Sequence, residues 1–150
     1  MVFSQLGQRT LLIDADFRAP RQQSIFNIPD RFGLSSILSG RADLSVATPV
    51  AGLTGLAVLP AGPLPPNPLE LLSRGSFAAL LGKAQAEYDT ILIDTPPVVE
   101  YSDAQCITFR AGDALLVSRK DVTRIADTER AVRELSDASA RVVGSLMNAY

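Results

Sequence analysis

The stretch LLIDADFR, residues 11–18, runs three apolar residues straight into two carboxylates one residue apart, with an arginine two places on. A second apolar run, Ile91–Ile93, ends in the same way, in Asp94-Thr95-Pro96-Pro97. Short, continuous apolar runs of this kind are expected for strands buried on both faces. In a parallel α/β sheet, ligands bind beyond the carboxyl ends of the strands. If these two strands are neighbours, Asp14, Asp16 and Asp94 converge on one rim. Like charges brought together raise one another's pKa and cost stability unless a cation lies among them. Mg²⁺ suits such a rim, because it takes one or two carboxylates and completes its shell with water and nucleotide phosphates. Asp14, Asp16 and Asp94 are therefore the expected metal ligands. The plainer reading, loop acids that cap helices, remains available for each site taken alone.

Other chemistry is closed off by composition. The chain has no histidine and a single cysteine, Cys106. Ser-His-Asp and Cys-His catalysis are excluded, as are His-ligated zinc and an internal disulfide. The formal net charge is −2 and the basic residues are scattered, so no nucleic-acid partner is expected. No apolar run approaches the roughly 20 residues that span a bilayer, and no signal peptide opens the chain. The expectation is a soluble, cytoplasmic protein.

The elements that must position the acids are legible as a pattern. Strands are expected at Leu11–Ile13, Leu56–Leu59, Ile91–Ile93, Ala114–Val117 and Val142–Leu146, with helices between them. Leu34, Ile37 and Leu38 follow helical spacing, and Gly40 sits where a C′ glycine ends a helix. Asn67, Pro68 and Glu70 open a further helix as cap, first position and capping-box acid. Arg74-Gly75 breaks that helix, and Ser76 is expected to cap another one running to about Tyr88. A last amphipathic helix, about Arg124 to Ala138, presents Ile125, Val132 and Leu135 inward. Five of the ten prolines fall within Pro60–Pro68, which reads as a rigid surface loop. This alternation predicts an α/β fold with a doubly wound, mostly parallel sheet covered by helices on both faces. Residues 1–150 are expected to form a single, partial domain. Met1–Leu6 reads as the last turns of a helix, and the chain stops just after a strand, so a fragment is expected.

The motifs resemble a known family. LLIDAD is similar to the Walker A-prime motif, and ILIDTPP to the Walker B motif, of the bacterial tyrosine kinases. These belong to the P-loop ATPases related to the MinD and ParA division and partition ATPases. LGQRTLLIDADFRAPRQ, GLSSILSG, LPAGPLPPNPLELL, YDTILIDTPPV and VSRKDVTR follow in the family's order nearly end to end. The resemblance implies ATP and Mg²⁺ as cofactors, and a tyrosine autokinase that controls the chain length and export of capsular or extracellular polysaccharide. It makes Asp14 and Asp16 the catalytic pair beside the γ-phosphate, one accepting the proton of an attacking tyrosine hydroxyl. Asp94 holds Mg²⁺, through a water. Asn148 matches the asparagine that reads the adenine edge, and Arg119 lies near the nucleotide. The implied partners are a transmembrane polysaccharide co-polymerase adaptor and further copies of the kinase, at the inner face of the plasma membrane. Tyr88, Tyr101 and Tyr150 read as packing residues rather than phosphorylation sites, and Arg18 as a surface arginine.

The chain departs from the family in one respect that matters. A P-loop needs G-x-x-x-x-G-K-[ST], whose backbone amides cradle phosphate. No such sequence occurs in the 150 residues. The stretch GSFAALLGK, residues 75–83, has the residue types but falls inside a helical pattern. The expectation is an N-terminally truncated kinase domain that is inactive alone. Two other readings stay open: a MinD- or ParA-type ATPase, and a catalytically dead interaction module.

Overall fold

The computed structural model describes residues 7–149, so Met1–Leu6, with the helix end expected there, and Tyr150 lie outside the described residues. The chain divides into two compact units, Met1–Pro96 and Pro97–Tyr150, each described by itself.

The first unit is built on β1, Thr10–Asp14, where Leu11, Ile13 and Asp14 are fully buried. Its apolar run needs cover on both faces and a partner along both edges. β3, Leu56–Leu59, and β4, Thr90–Asp94, lie on either side, both parallel to it. β2, Thr48–Pro49, adds a short antiparallel edge, giving the order β2-β3-β1-β4. Pro49 lacks an N–H and is tolerated at such an edge. The expected parallel α/β sheet is present, with this antiparallel strand added.

Among the described residues of this unit, four α-helices follow in sequence: α1, Gln22–Phe26; α2, Leu34–Leu38; α3, Pro68–Ser73; and α4, Gly75–Glu87. Gly40, at φ +74°, ends α2 as its sequence position implies, and Arg41 N closes the turn on Ser36 O. Pro68 occupies the first turn of α3 as expected. α4 buries Phe77, Leu80, Leu81 and Ala84, an i, i+3, i+4, i+7 stripe.

The expected caps differ from those formed. Asn67 makes no side-chain cap bond; its amide donates instead to Glu70 Oε2 at 3.3 Å. α4 starts two residues early, at Gly75 with Arg74 at the cap position, which leaves Ser76 Oγ inside the first turn.

The second unit contains α5, Asp103–Ala111; β5, Asp113–Arg119; α6, Ile125–Asp137; and β6, Arg141–Asn148. β5 and β6 pair in parallel, with a register irregularity between Ala114 and Leu115. Their burial alternates along β5 instead of running continuously, because within this two-stranded sheet one face lacks cover. α6 buries Leu135 and Ala131, but Ile125 is 80% exposed and Val132 also faces outward. Two of the three residues expected on its inner face are therefore outside. Ile125 opens the helix, before the first turn has packed, and the buried stripe runs through Ala131.

Candidate active site at the carboxyl ends of β1 and β4

β1 and β4 are neighbours, and their last residues, Asp14 and Asp94, are register partners. The backbone pairing continues one step further, Ala15 N donating to Asp94 O at 2.9 Å. Side chains of register partners project to the same face of a sheet. The two carboxylates therefore share one rim, and their charges interact unfavourably.

They are nevertheless in different environments. Asp14 is fully buried, and both its oxygens are engaged by backbone. Oδ1 accepts from Asp16 N at 3.1 Å, and Oδ2 accepts from Arg21 N and Gln22 N, each at 3.0 Å. Burial pushes its carboxyl above the ordinary value; the three N–H bonds oppose the rise, and the Asp94 charge adds a little to it. Asp16 is half-buried. Its Oδ1 accepts from Arg18 N at 2.9 Å and Ala19 N at 3.0 Å, closing the loop on itself. Asp94 is exposed, and its Oδ2 accepts from Gln22 Nε2 at 2.7 Å.

The spacing of Asp14 and Asp16 thus has a structural answer. Asp14 folds the loop after β1 back over the strand end, where it opens α1, and Asp16 turns the first half of that loop. Of the three expected carboxylates, strand register brings Asp14 and Asp94 to one rim, and Asp16 follows on the loop that Asp14 anchors. Among the described residues, no group of three or more His, Cys, Asp or Glu side chains is arranged to hold a metal ion. The donors that remain suited to a hard cation are the carboxylates of Asp16 and Asp94, whose oxygens match the preference of Mg²⁺ for carboxylate together with water.

Gln22 was not singled out in the sequence. The run Gln22-Gln23 just beyond the strand-end acids is the only trace of it, and the sequence does not reveal that the loop returns to β4. Arg119 and Asn148 lie in the second unit, where they are register partners at the carboxyl ends of β5 and β6. Lys120 N donates there to Asn148 O at 2.8 Å, and Arg119 N to Thr123 Oγ1 at 2.8 Å. Residues 75–83 are helical throughout, so GSFAALLGK is no phosphate loop. A cavity of about 620 Å³ in the first unit, lined by residues that include Arg9, Leu53, Gly55 and Tyr88, opens near the amino ends of the strands, away from the aspartates.

The fold is that of the MinD-like α/β ATPases. MinD from Pyrococcus horikoshii, solved with Mg-ADP, is similar over 99% of this chain and 60% of that one, at TM-score 0.78 and 22% identity, a likeness of fold alone. The chain belongs to the bacterial tyrosine kinases. It is 35% identical over 148 residues to the tyrosine-protein kinase YwqD of Bacillus subtilis, a match covering 99% of this chain and 62% of that protein. The kinase domain of the Escherichia coli tyrosine kinase ETK aligns over 99% of this chain and 58% of that one, at TM-score 0.93 and 33% identity. The VpsO kinase domain covers 99% and 73% respectively, at TM-score 0.91 and 32% identity. No family model matches the chain. The chain spans less than two thirds of the length of YwqD. Among the described residues no helix is long and apolar enough to cross a membrane.

Proposed function

We propose that these residues form part of a protein-tyrosine kinase that transfers the γ-phosphoryl group of ATP to tyrosine. The observation that carries this reading is the register pairing of Asp14 with Asp94 at the strand ends, in a chain whose relatives at 33–35% identity are tyrosine kinases. Both units fall within the span matched by the ETK kinase domain, which supports a single domain.

The residues divide the work by environment. Asp14 braces the loop. Asp16 is the general base that takes the proton of the attacking tyrosine hydroxyl, since it is half-buried and close to solvent. Asp94 would hold Mg²⁺, which would neutralise phosphate charge there, and Arg119 and Asn148 would serve the nucleotide, Asn148 at the adenine edge. When bound, Mg-ATP supplies the phosphoryl group and neutralises its charge. The phosphate-cradling loop is not among the 150 residues, so they account for only part of the nucleotide site.

By the same family reading, the intact protein acts on exopolysaccharide chain length and export. It works beside a transmembrane polysaccharide co-polymerase adaptor, as a homo-oligomer at the inner face of the plasma membrane, and with no nucleic-acid partner.

The test is phosphotyrosine formation by the intact protein with Mg-ATP, with Asp16→Asn and Asp94→Asn as variants. Loss of a positioned general base typically costs about 10²–10⁴-fold in rate, and a loss in that range is expected for Asp16→Asn. Asp94→Asn is expected to slow turnover and raise the Mg²⁺ requirement. ATP hydrolysis with no phosphotyrosine would assign a partitioning-type ATPase instead. An absence of both activities would assign an interaction module.

A further inference from the structure

We propose that Gln22 is a positioning residue for Asp94, holding the exposed carboxylate of β4 in the orientation that the metal-facing role needs. The proposal rests on the kinase reading for what that orientation serves, but its geometry stands on the contacts themselves. Gln22 is the first residue of α1, and its backbone N–H donates to Asp14 Oδ2 at 3.0 Å. Asp14 cannot move, because it is fully buried and two further N–H groups hold it. The Gln22 main chain is thereby fixed to the end of β1. From that anchor its side chain reaches the neighbouring strand, and Nε2 donates to Asp94 Oδ2 at 2.7 Å. The amide must present its NH₂ end there, since its oxygen would oppose a carboxylate oxygen.

The residue type matters as much as the contact. A carboxylate at an exposed strand end has several rotamers open to it, and one short bond to an ionised acceptor selects among them. A lysine or arginine at position 22 would do the same, yet its charge would compete with a divalent cation for Asp94. A neutral amide orients the carboxylate without neutralising it. It also places a donor dipole beside one member of a like-charged pair, Asp14 and Asp94, that occupies matching register positions. One residue thus ties both strand-end acids together, Asp14 through the main chain and Asp94 through the side chain.

Two measurements on the intact protein decide it, using Gln22→Ala, Gln22→Glu and Asp94→Ala. Each variant at position 22 keeps the backbone N–H, so the loop brace is retained. In glutamine-¹⁵N-labelled protein, the Gln22 side-chain amide resonance is expected to move in Asp94→Ala and the other glutamines to stay in place. In the phosphorylation assay, Gln22→Ala is expected to raise the half-saturating Mg²⁺ concentration about tenfold, with little change in the KM for ATP and in the melting temperature. Gln22→Glu, which sets a third carboxylate against Asp94, is expected to do worse at low Mg²⁺ and to recover at high Mg²⁺. In the Asp94→Ala background, Gln22→Ala adds nothing further.

An amide resonance indifferent to Asp94→Ala overturns the proposal. So does a Gln22→Ala protein with a lowered melting temperature and an unchanged Mg²⁺ requirement, which would mark a structural role only. If the wild-type protein forms no phosphotyrosine, the kinase reading fails, and the resonance alone still decides whether Gln22 holds Asp94.

Discussion

Asp14 is an acid whose surroundings ask it to do two opposed things. Burial penalises its charge, while three backbone N–H groups require an acceptor. Asparagine is the same shape but has one acceptor oxygen, so at least one of the three donors must face an NH₂ group. An unsatisfied buried donor costs about 1–3 kcal/mol, and Asp14→Asn is expected to lower stability by that amount in denaturant or thermal unfolding. An unchanged midpoint would show that the loop finds other acceptors. The two proteins should also differ in pH dependence. Because the folded-state pKa of Asp14 is raised, the native state binds a proton more readily than the unfolded chain. Its contribution to stability therefore increases as pH falls from neutrality through the raised pKa to the ordinary carboxylate range. The stability of wild type relative to Asp14→Asn is expected to grow across that window. Asp43, Glu70, Asp89 and Asp113 have lowered values, Asp43 from its bonds to Ser45 and the other three from partnered arginines, and they act in the opposite sense; being present in both proteins, they cancel in the difference. A gap that narrows on acidification would contradict the buried placement of Asp14.

At the scale of elements, α2 is held by its approach to the chain that follows β3. Leu34 N and Ser35 N, which have no partners within their own helix, donate to Pro60 O at 2.8 Å and Ala61 O at 3.0 Å. Such contact requires the two backbones to touch. A Cβ at Gly33 would lie 2.2 Å from Pro60 O and 2.5 Å from Gly62 N, both main-chain atoms that cannot swing aside. Gly33→Ala is expected to destabilise by about 1–3 kcal/mol, as forced overpacking does, and to loosen the 60–68 loop in hydrogen exchange. Gly82 is the opposite case. It lies in the interior of α4 on an exposed face, where a Cβ meets nothing within 4 Å. Gly82→Ala is expected to raise stability by about 0.5–1 kcal/mol, through the entropy that glycine loses on entering a helix. The same contrast shows what the sequence could reveal. Gly40 and Pro68 announce their roles because a C′ glycine and a first-turn proline act through local backbone geometry alone. The demand on Gly33 is tertiary, and it becomes visible only when the loop after β3 arrives. Asn67 holds the expected N-cap position but spends its side-chain amide on Glu70, and only at Ser76 does the helix start differ from the expected one, at Gly75.

For the molecule as a whole, the strands and their order of motifs were legible, because an apolar run that ends in an acid is a local signal. Which acid oxygens are already engaged was not, since that depends on the loop from β1 returning over its own strand end and sending Gln22 across to β4. The different setting of the last two strands was also hidden, because the apolar runs of β5 and β6 read like those of β1 and β3. Their surroundings differ. β1 is enclosed between two parallel neighbours, whereas β5 and β6 have only each other within the second unit. Leu115, Val117, Val143, Leu146 and Met147 of that pair remain exposed in it. A two-stranded sheet is marginal in water, and parallel pairing is slightly less stable per residue than antiparallel. α5 and α6 contribute only a few fully buried apolar side chains, Ala104, Ile107, Ala131 and Leu135. A peptide of residues 97–150 is accordingly expected to be largely unfolded on its own, with a coil-like far-ultraviolet circular dichroism spectrum and poorly dispersed amide resonances. Cooperative melting of that peptide would show that the second unit carries its own stability and that its uncovered apolar strands need no further partner.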